Sequence, residues 1–186
     1  EGSFHSDYIK HYDEKSNNLF FTAHGVNNQI DPYYEHTYKV SLNGGVPKLL
    51  NKGNFNTMTY PSDNHRYFVN NFSRVNTTPE SHLINSDGTV IMKLEKADLS
   101  ALFESGYQFP ETFKAKADDG TTDLYGVIYK PFDFDENKKY PLLEYVYPGP
   151  QTESVNKSFS VRMDRLDRMA QLGFIVITLG NRGGHP

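Results

Sequence analysis

The chain has 186 residues, and its 19 Lys or Arg and 23 Asp or Glu give a formal net charge of −4. Because the basic residues are scattered and not in excess, we expect no nucleic-acid partner. The absence of cysteine excludes disulfides, thiolate metal ligands and a cysteine nucleophile, and the longest apolar run, residues 174–179, is far shorter than the ~20 residues that cross a bilayer.

The first hundred residues predict antiparallel β-structure, because short aromatic and β-branched runs alternate with turn residues. One strand, turn, strand unit covers residues 38–50 around Asn43-Gly44, and a second covers residues 82–92 around Asp87-Gly88. These dipeptides supply the positive φ that tight hairpins need. The units recur at a period of about 44 to 47 residues, which is typical of β-propeller blades. An unrelated β-sandwich with ordinary hairpins is the alternative.

The pattern changes after these repeats. Residues 93–102 contain good helix formers with polar spacing, and they predict a short helical linker or an extended crossing. We therefore divide the chain into residues 1–105 and residues 106–186.

The second half predicts a β-hairpin followed by a strand, helix, strand unit. Residues 111–117 and 123–129 form the hairpin around a turn at 118–120, and the charged residues 133–139 form a solvated loop. Residues 140–147 and 174–179 are nearly continuous apolar strands, as expected for a sheet that is covered on both faces.

A helix is predicted between these two strands. Its apolar positions follow spacings of three and four, and they are Phe159, Met163, Leu166 and Ala170. Gly173 stands where a C-terminal cap belongs. Two such strands joined through a helix predict a right-handed parallel crossover.

Three motifs of the second half, in order, resemble those of the prolyl oligopeptidase family of serine peptidases, particularly its dipeptidyl peptidase four relatives. They are residues 124–131 (LYGVIYKP), residues 140–150 (YPLLEYVYPGP) and residues 181–184 (NRGG). The resemblance implies a fold with α/β and all-β parts. Residues 1–105 would be the last blades of a β-propeller, and residues 106–186 the first strands and first helix of an α/β-hydrolase domain. It also implies that strand 140–147 pairs with a strand encoded after residue 186, which leaves one sheet edge unpaired here.

The resemblance assigns a catalytic role to Tyr147. In this family a Tyr hydroxyl at the end of this strand, together with a backbone N–H beside the nucleophile, stabilises the tetrahedral intermediate. Pro148 and Pro150 restrict φ on both sides of Gly149, which stiffens the loop. The alternative is that Tyr147 is one of 13 tyrosines and simply packs at a strand end.

Arg182 matches an arginine that the family places near the active-site region, so it is a candidate for substrate binding. Pairing with a carboxylate is an equally good interpretation. His185 is not expected to be the general base, because the catalytic His of this family follows the Ser and Asp much later in the chain.

The sequence contains no Gly-x-Ser-x-Gly motif, so we expect the Ser, Asp and His triad to lie beyond Pro186. The seven histidines have no His-x-x-x-His or His-Glu-x-x-His spacing, and we expect no metal site and no cofactor. The chain begins with Glu, and we interpret it as a segment cut from a longer protein.

The function implied is that of a serine peptidase that forms an acyl-enzyme, with proline-related dipeptidyl peptidase or oligopeptidase activity, of which this segment alone would be inactive. The alternatives are an acylaminoacyl peptidase or esterase on the same scaffold, and a non-catalytic binding protein. The partner would be a peptide substrate, and the family allows a homodimer of the parent protein. The family favours a bacterial periplasmic or secreted setting, although the residues leave the compartment open.

Overall fold

The computed structural model describes residues 4–25, 29–147, 149, 152, 154–160 and 165–182. The chain divides into two compact units. The first unit consists of Glu1–Arg74 and Pro79–Ala97, and the second of Val75–Thr78 and Asp98–Pro186. Each unit has its own sheets and core.

The first sheet of the first unit is an antiparallel meander. Its strands are β1 (His5–Asp13), β2 (Asn18–His24), β3 (His36–Ser41) and β4 (Lys48–Leu49), and each pairs with the next along the chain. The register between β1 and β2 shifts between Ser6 and Ile9, which marks a β-bulge.

The second sheet repeats the same order. Its strands are β5 (Asn56–Pro61), β6 (Tyr67–Ser73), β7 (Glu80–Asn85) and β8 (Val90–Lys96), all antiparallel. Two four-stranded meanders in succession have the strand count and order of propeller blades. These two sheets do not close into a ring.

The two predicted hairpins are confirmed. Strands β3 and β4 flank Gly44, and strands β7 and β8 flank Gly88, with φ of 103° and 81° at these glycines. Gly88 has a second constraint, because a Cβ at this position would overlap the carbonyl oxygen of Leu50 and lie 2.8 Å from its Cα. Glycine is therefore required at residue 88 by both conformation and space.

An apolar cluster joins the two sheets of the first unit. It contains Phe20 of the first sheet, Leu50 directly after β4, and Phe68 and Ile84 of the second sheet, each at most 2% exposed. The rings of Phe20 and Phe68 lie 5.3 Å apart. Burying each of these side chains stabilises the fold by roughly 1.5–3 kcal/mol.

A buried hydrogen-bond network also joins these two sheets, and its centre is Asn51. The Oδ1 of Asn51 accepts from the backbone N–H of Thr37 at 2.9 Å. Its Nδ2 lies 2.8 Å from Thr57 Oγ1, 3.2 Å from Thr59 Oγ1 and 3.0 Å from Asn70 Oδ1. All five residues are at most 4% exposed, so these polar groups must bond to one another instead of to water.

The second unit contains one mixed sheet in the order β11-β12-β10-β9. Strands β9 (Glu111–Lys116) and β10 (Asp123–Tyr129) form the predicted antiparallel hairpin. Strands β11 (Leu142–Tyr145) and β12 (Ile175–Leu179) are parallel, as predicted, while β10 and β12 are antiparallel. Among the described strands, β11 has β12 as its single neighbour.

Two short helices accompany this sheet among the described residues, α1 (Ser100–Glu104) and α2 (Arg165–Gln171). Helix α2 buries Leu166 and Ala170 against Val127 and Val176 of the sheet, as the spacing predicted. No helix in the described part of the chain is long and apolar enough to span a membrane.

Residues 93–96 are extended, which is one of the two predicted alternatives, because they continue β8 alongside β7, and the short helix occurs at Ser100–Glu104. Two other predicted elements differ from the structure. Strand 140–147 is regular only from Leu142 to Tyr145. Phe159 precedes helix α2 and packs its ring against Tyr107 and Phe109 at 6.3 and 5.9 Å. Met163 lies outside the described residues.

Candidate functional site

The candidate site lies at the carboxyl edge of the parallel strand pair. Tyr145 of β11 is aligned with Thr178 of β12, so both strands end at the same edge of the sheet. The residues that follow them, Tyr147 and Arg182, are the two site residues that the sequence predicted. Ligands of open α/β sheets bind at this kind of edge.

Tyr147 is the second residue after β11 and its side chain is accessible, with 59% of its surface exposed. Its carbonyl oxygen accepts a hydrogen bond from the N–H of Gly149 at 3.0 Å. Pro148 and Pro150, on which the predicted stiffness of the loop rests, lie outside the described residues. The side chain of Tyr147 is therefore on the surface, just beyond the end of the strand.

Residues that follow Tyr147 in the chain are anchored to the sheet. Val155 is 4% exposed and belongs to the same apolar core as Val176 of β12. Ser154 Oγ lies 3.4 Å from Thr178 Oγ1, and Asn156 Nδ2 donates to the Tyr129 hydroxyl at 3.2 Å. Residues 154–156 are thus packed and hydrogen-bonded against the sheet.

Arg182 is paired with a carboxylate. Its Nη1 donates to Asp119 Oδ2 at 2.9 Å, and 57% of the Arg182 side chain is exposed. Asp119 sits in the β9–β10 turn, where it also accepts from the N–H groups of Thr121 and Thr122 and from the Thr122 hydroxyl. These hydrogen bonds, foremost that of the Thr122 hydroxyl, hold the pKa of Asp119 well below its usual range. Arg182 therefore ties the loop after β12 to this turn.

His185 lies outside the described residues. The Asp118-Asp119-Gly120 segment forms a turn, since the Gly120 N–H donates to Ala117 O at 2.9 Å and the Asp119 carboxylate accepts locally. A serine nucleophile motif is absent from the sequence.

One polar cluster of the first unit could not be predicted from the spacing of residues along the sequence. Asp7, His24 and Glu35 each bring one potential ligand atom within 4.8 Å of the others. They lie on or beside three neighbouring strands, so their proximity depends on strand register and not on an i, i+4 pattern. Alternation along each strand is the signal that could have found them, once the pairing was known.

A mostly β chain with two four-stranded antiparallel meanders is the architecture expected of a propeller region. Residues 1–79 match the family model described as the dipeptidyl peptidase IV (DPP IV) N-terminal region. Dipeptidyl peptidase 8 of Mus musculus is 44% identical over 78 residues, which is 41% of this chain and 9% of that protein.

Two fungal relatives align over 92% of this chain. They are the probable dipeptidyl-aminopeptidase B of Tuber melanosporum (strain Mel28), 27% identical, and that of Arthroderma benhamiae (strain ATCC MYA-4681 / CBS 112371), 28% identical. The aligned segment spans 19% of the length of each. Together these matches support a segment of the dipeptidyl peptidase IV-like family of prolyl peptidases.

Proposed function

We propose that this chain is part of a serine peptidase that hydrolyses peptide bonds through an acyl-enzyme and prefers proline-related substrates. The observation that carries the proposal is the position of Tyr147, exposed directly beyond the carboxyl end of a parallel strand in a chain whose relatives are named dipeptidyl peptidases.

Within this proposal the first unit contributes the last two blades of a propeller, and the second unit begins an α/β-hydrolase domain. The two consecutive meanders support the first assignment. The second is supported by an antiparallel β9–β10 hairpin that continues into a parallel pair whose connection contains helix α2. The accessible edge of β11 suits a sheet that continues with further strands.

The chemistry we assign to Tyr147 is stabilisation of negative charge. When a serine attacks the substrate carbonyl, the carbonyl oxygen gains charge, and a donor already aimed at it lowers the barrier. The Tyr147 hydroxyl and one backbone N–H would be these donors. The Ser, His and Asp of the triad are assigned to sequence after residue 186, because no nucleophile motif occurs here.

Arg182 is given a positioning role in this proposal. Its ion pair with Asp119 holds the loop after β12 against the β9–β10 turn, at the edge where Tyr147 lies. Direct contact between Arg182 and the substrate is a separate hypothesis. It requires the guanidinium either to bind the substrate while it stays paired with Asp119 or to break that ion pair.

The test is the substitution Tyr147→Phe in the protein that contains this segment and its nucleophile. Loss of one oxyanion donor should reduce kcat by roughly 10- to 1000-fold on a proline-containing chromogenic dipeptide, with little change in KM. Tyr60→Phe is the matched control, because Tyr60 is a tyrosine of strand β5 that is 50% exposed. An unchanged kcat for Tyr147→Phe removes the oxyanion role.

The 186-residue chain alone should show no hydrolysis of the same substrate. Turnover by the purified chain would mean that its own residues form a nucleophilic centre, and the assignment of the triad to later sequence would be wrong. N-acylated peptides and simple esters, tested on the longer protein, separate the proposed dipeptidyl activity from an acylaminoacyl peptidase or an esterase.

A further inference from the structure

The cluster of Asp7, His24 and Glu35 arises from the pairing of the first three strands. Ala23 of β2 is aligned with Ser6 of β1 on one side and with His36 of β3 on the other. The residues next to these three partners are Asp7, His24 and Glu35, and Asp7 lies within the register shift of β1 between Ser6 and Ile9. One ligand atom from each lies within 4.8 Å of the other two.

His24 is oriented as a ligand by a hydrogen bond outside the cluster. Its side chain is 93% buried, and Nδ1 lies 3.2 Å from the carbonyl oxygen of Tyr33. A carbonyl can only accept, so Nδ1 carries the proton and the neutral ring presents the Nε2 lone pair. Nε2 faces Asp7 Oδ2 at 3.8 Å, which is too long for a hydrogen bond. Nε2 therefore points toward the carboxylates of the cluster.

Burial also favours the neutral, metal-binding form of His24. Desolvation lowers the pKa of His24, while the Tyr33 carbonyl and the Asp7 carboxylate act in the opposite direction. A metal ligand must be the neutral imidazole, with its second nitrogen held by an acceptor. His24 meets both conditions.

The negative charges of the Asp7 and Glu35 carboxylates lie close to each other. The Asp7 side chain is only 15% exposed. Burial raises the pKa of Glu35, Lys10 lowers it, and the negative charge of Asp7 raises it again. Two half-buried carboxylates that repel each other beside a neutral imidazole are a common setting for a divalent cation.

We infer that Asp7, His24 and Glu35 bind one divalent first-row transition metal ion, with Zn²⁺ as the representative cation. One imidazole nitrogen and two carboxylate oxygens supply three ligands and a charge of −2, and water can complete the coordination. An imidazole ligand favours Zn²⁺ and other divalent first-row transition metal ions over Mg²⁺ and Ca²⁺, which prefer oxygen ligands alone. Metal–ligand bonds of about 2.0–2.2 Å require the three atoms to move together by about an ångström.

The inferred ion would tie β1, β2 and the start of β3 together next to the bulge in β1. Its role is then to stabilise the first sheet, and it does not depend on the peptidase proposal. Binding to the folded state alone should raise the unfolding temperature in the presence of the metal.

The experiment is isothermal titration calorimetry of Zn²⁺ into the purified, chelator-treated chain at pH 7.5, with the unfolding temperature measured in parallel. We expect one site per chain with Kd on the order of 1–10 μM and a rise of a few degrees in Tm. Asp7→Asn and Glu35→Gln, which retain the side-chain shapes, should each weaken binding by at least about 10-fold and abolish the Tm shift.

The matched control is His65→Gln. His65 stacks on His11 with 3.3 Å between the ring centroids, and it belongs to a histidine pair outside the cluster. Unchanged Zn²⁺ binding in this variant supports the site. Absence of binding overturns the inference, as does full binding by both carboxamide variants or loss of binding only in His65→Gln. Mg²⁺ binding as tight as that of Zn²⁺ overturns the choice of cation class. Circular dichroism of each variant shows that its fold is retained.

Discussion

Asn51 offers the sharpest test of what holds the first unit together. Replacing it with Ala removes the acceptor of the buried Thr37 N–H and the donor shared by Thr57, Thr59 and Asn70. Thr57 keeps its hydrogen bond to the Glu35 carbonyl, and Thr59 keeps its bonds to Thr37 and Asn70. The group left with no partner is the Thr37 N–H, in a residue that is 0% exposed.

The expected cost follows from these bonds. One buried, unsatisfied N–H costs about 1–3 kcal/mol, and the small cavity adds to it, so Asn51→Ala should lower the free energy of unfolding by roughly 2–4 kcal/mol. With an m value of about 1–3 kcal/mol per molar urea, the midpoint of unfolding should fall by ~1–2 M. Tyrosine fluorescence and circular dichroism suit the measurement, since the chain has 13 tyrosines and no tryptophan.

Two further variants separate the network from general effects. Asn43 accepts a hydrogen bond from Asn17 on the exposed surface, so Asn43→Ala should change the free energy of unfolding by less than ~0.5 kcal/mol. Asn51→Asp keeps the shape but buries a carboxyl group near Asn70 Oδ1, so its free energy of unfolding should lie further below that of the parent chain at pH 8 than at pH 5. If the free energies of unfolding of Asn51→Ala and the parent chain differ by less than ~0.5 kcal/mol, the network does not stabilise the unit.

Two other predictions concern the same unit. Gly88→Ala should lower the free energy of unfolding by roughly 2–4 kcal/mol, because the new side chain would have positive φ and would clash with Leu50. Gly44→Ala also has positive φ but meets open space, so it should lower the free energy of unfolding by only ~1–2 kcal/mol. Equal urea midpoints for the two variants would contradict the role of the Leu50 contact. Burial lowers the pKa of His24 and His36 in the folded state. As the pH falls through about 6.5, these histidines therefore take up protons in the unfolded chain before they do so in the folded chain. The free energy of unfolding should consequently decrease between pH 7.5 and pH 5.5. His36→Gln should reduce that pH dependence, and an equally steep dependence in this variant would exclude His36 as a cause.

The elements predicted well are those whose signal is local. The hairpins at Gly44 and Gly88 depend on turn residues that accept positive φ, and the second half's hairpin ends in a turn that Asp119 caps with its own side chain. Buried residues at helical spacing, Leu166 and Ala170, marked the inner face of α2. Each of these features is decided within a few residues of chain, where propensity and alternation are informative.

The elements left open or predicted poorly are those decided by a distant partner. Residues 93–96 have helical propensity, yet hydrogen bonding to β7 makes them strand, since ladder pairing outweighs a preference of a few tenths of a kcal/mol per residue. Phe159 fits a helical stripe but packs with Tyr107 and Phe109, more than forty positions earlier in the chain.

The same distinction applies to the sites. Motifs in the sequence alone indicated the peptidase family and singled out Tyr147 and Arg182. Each of these two residues belongs to a short motif of consecutive residues, YPLLEYVYPGP or NRGG, which can be recognised without knowledge of the fold. The partner of Arg182 lies 63 positions away, and the convergence of Asp7, His24 and Glu35 depends on which strands pair and in which register. Register is set by the burial of whole strand faces, so only the tertiary structure could bring these charges together.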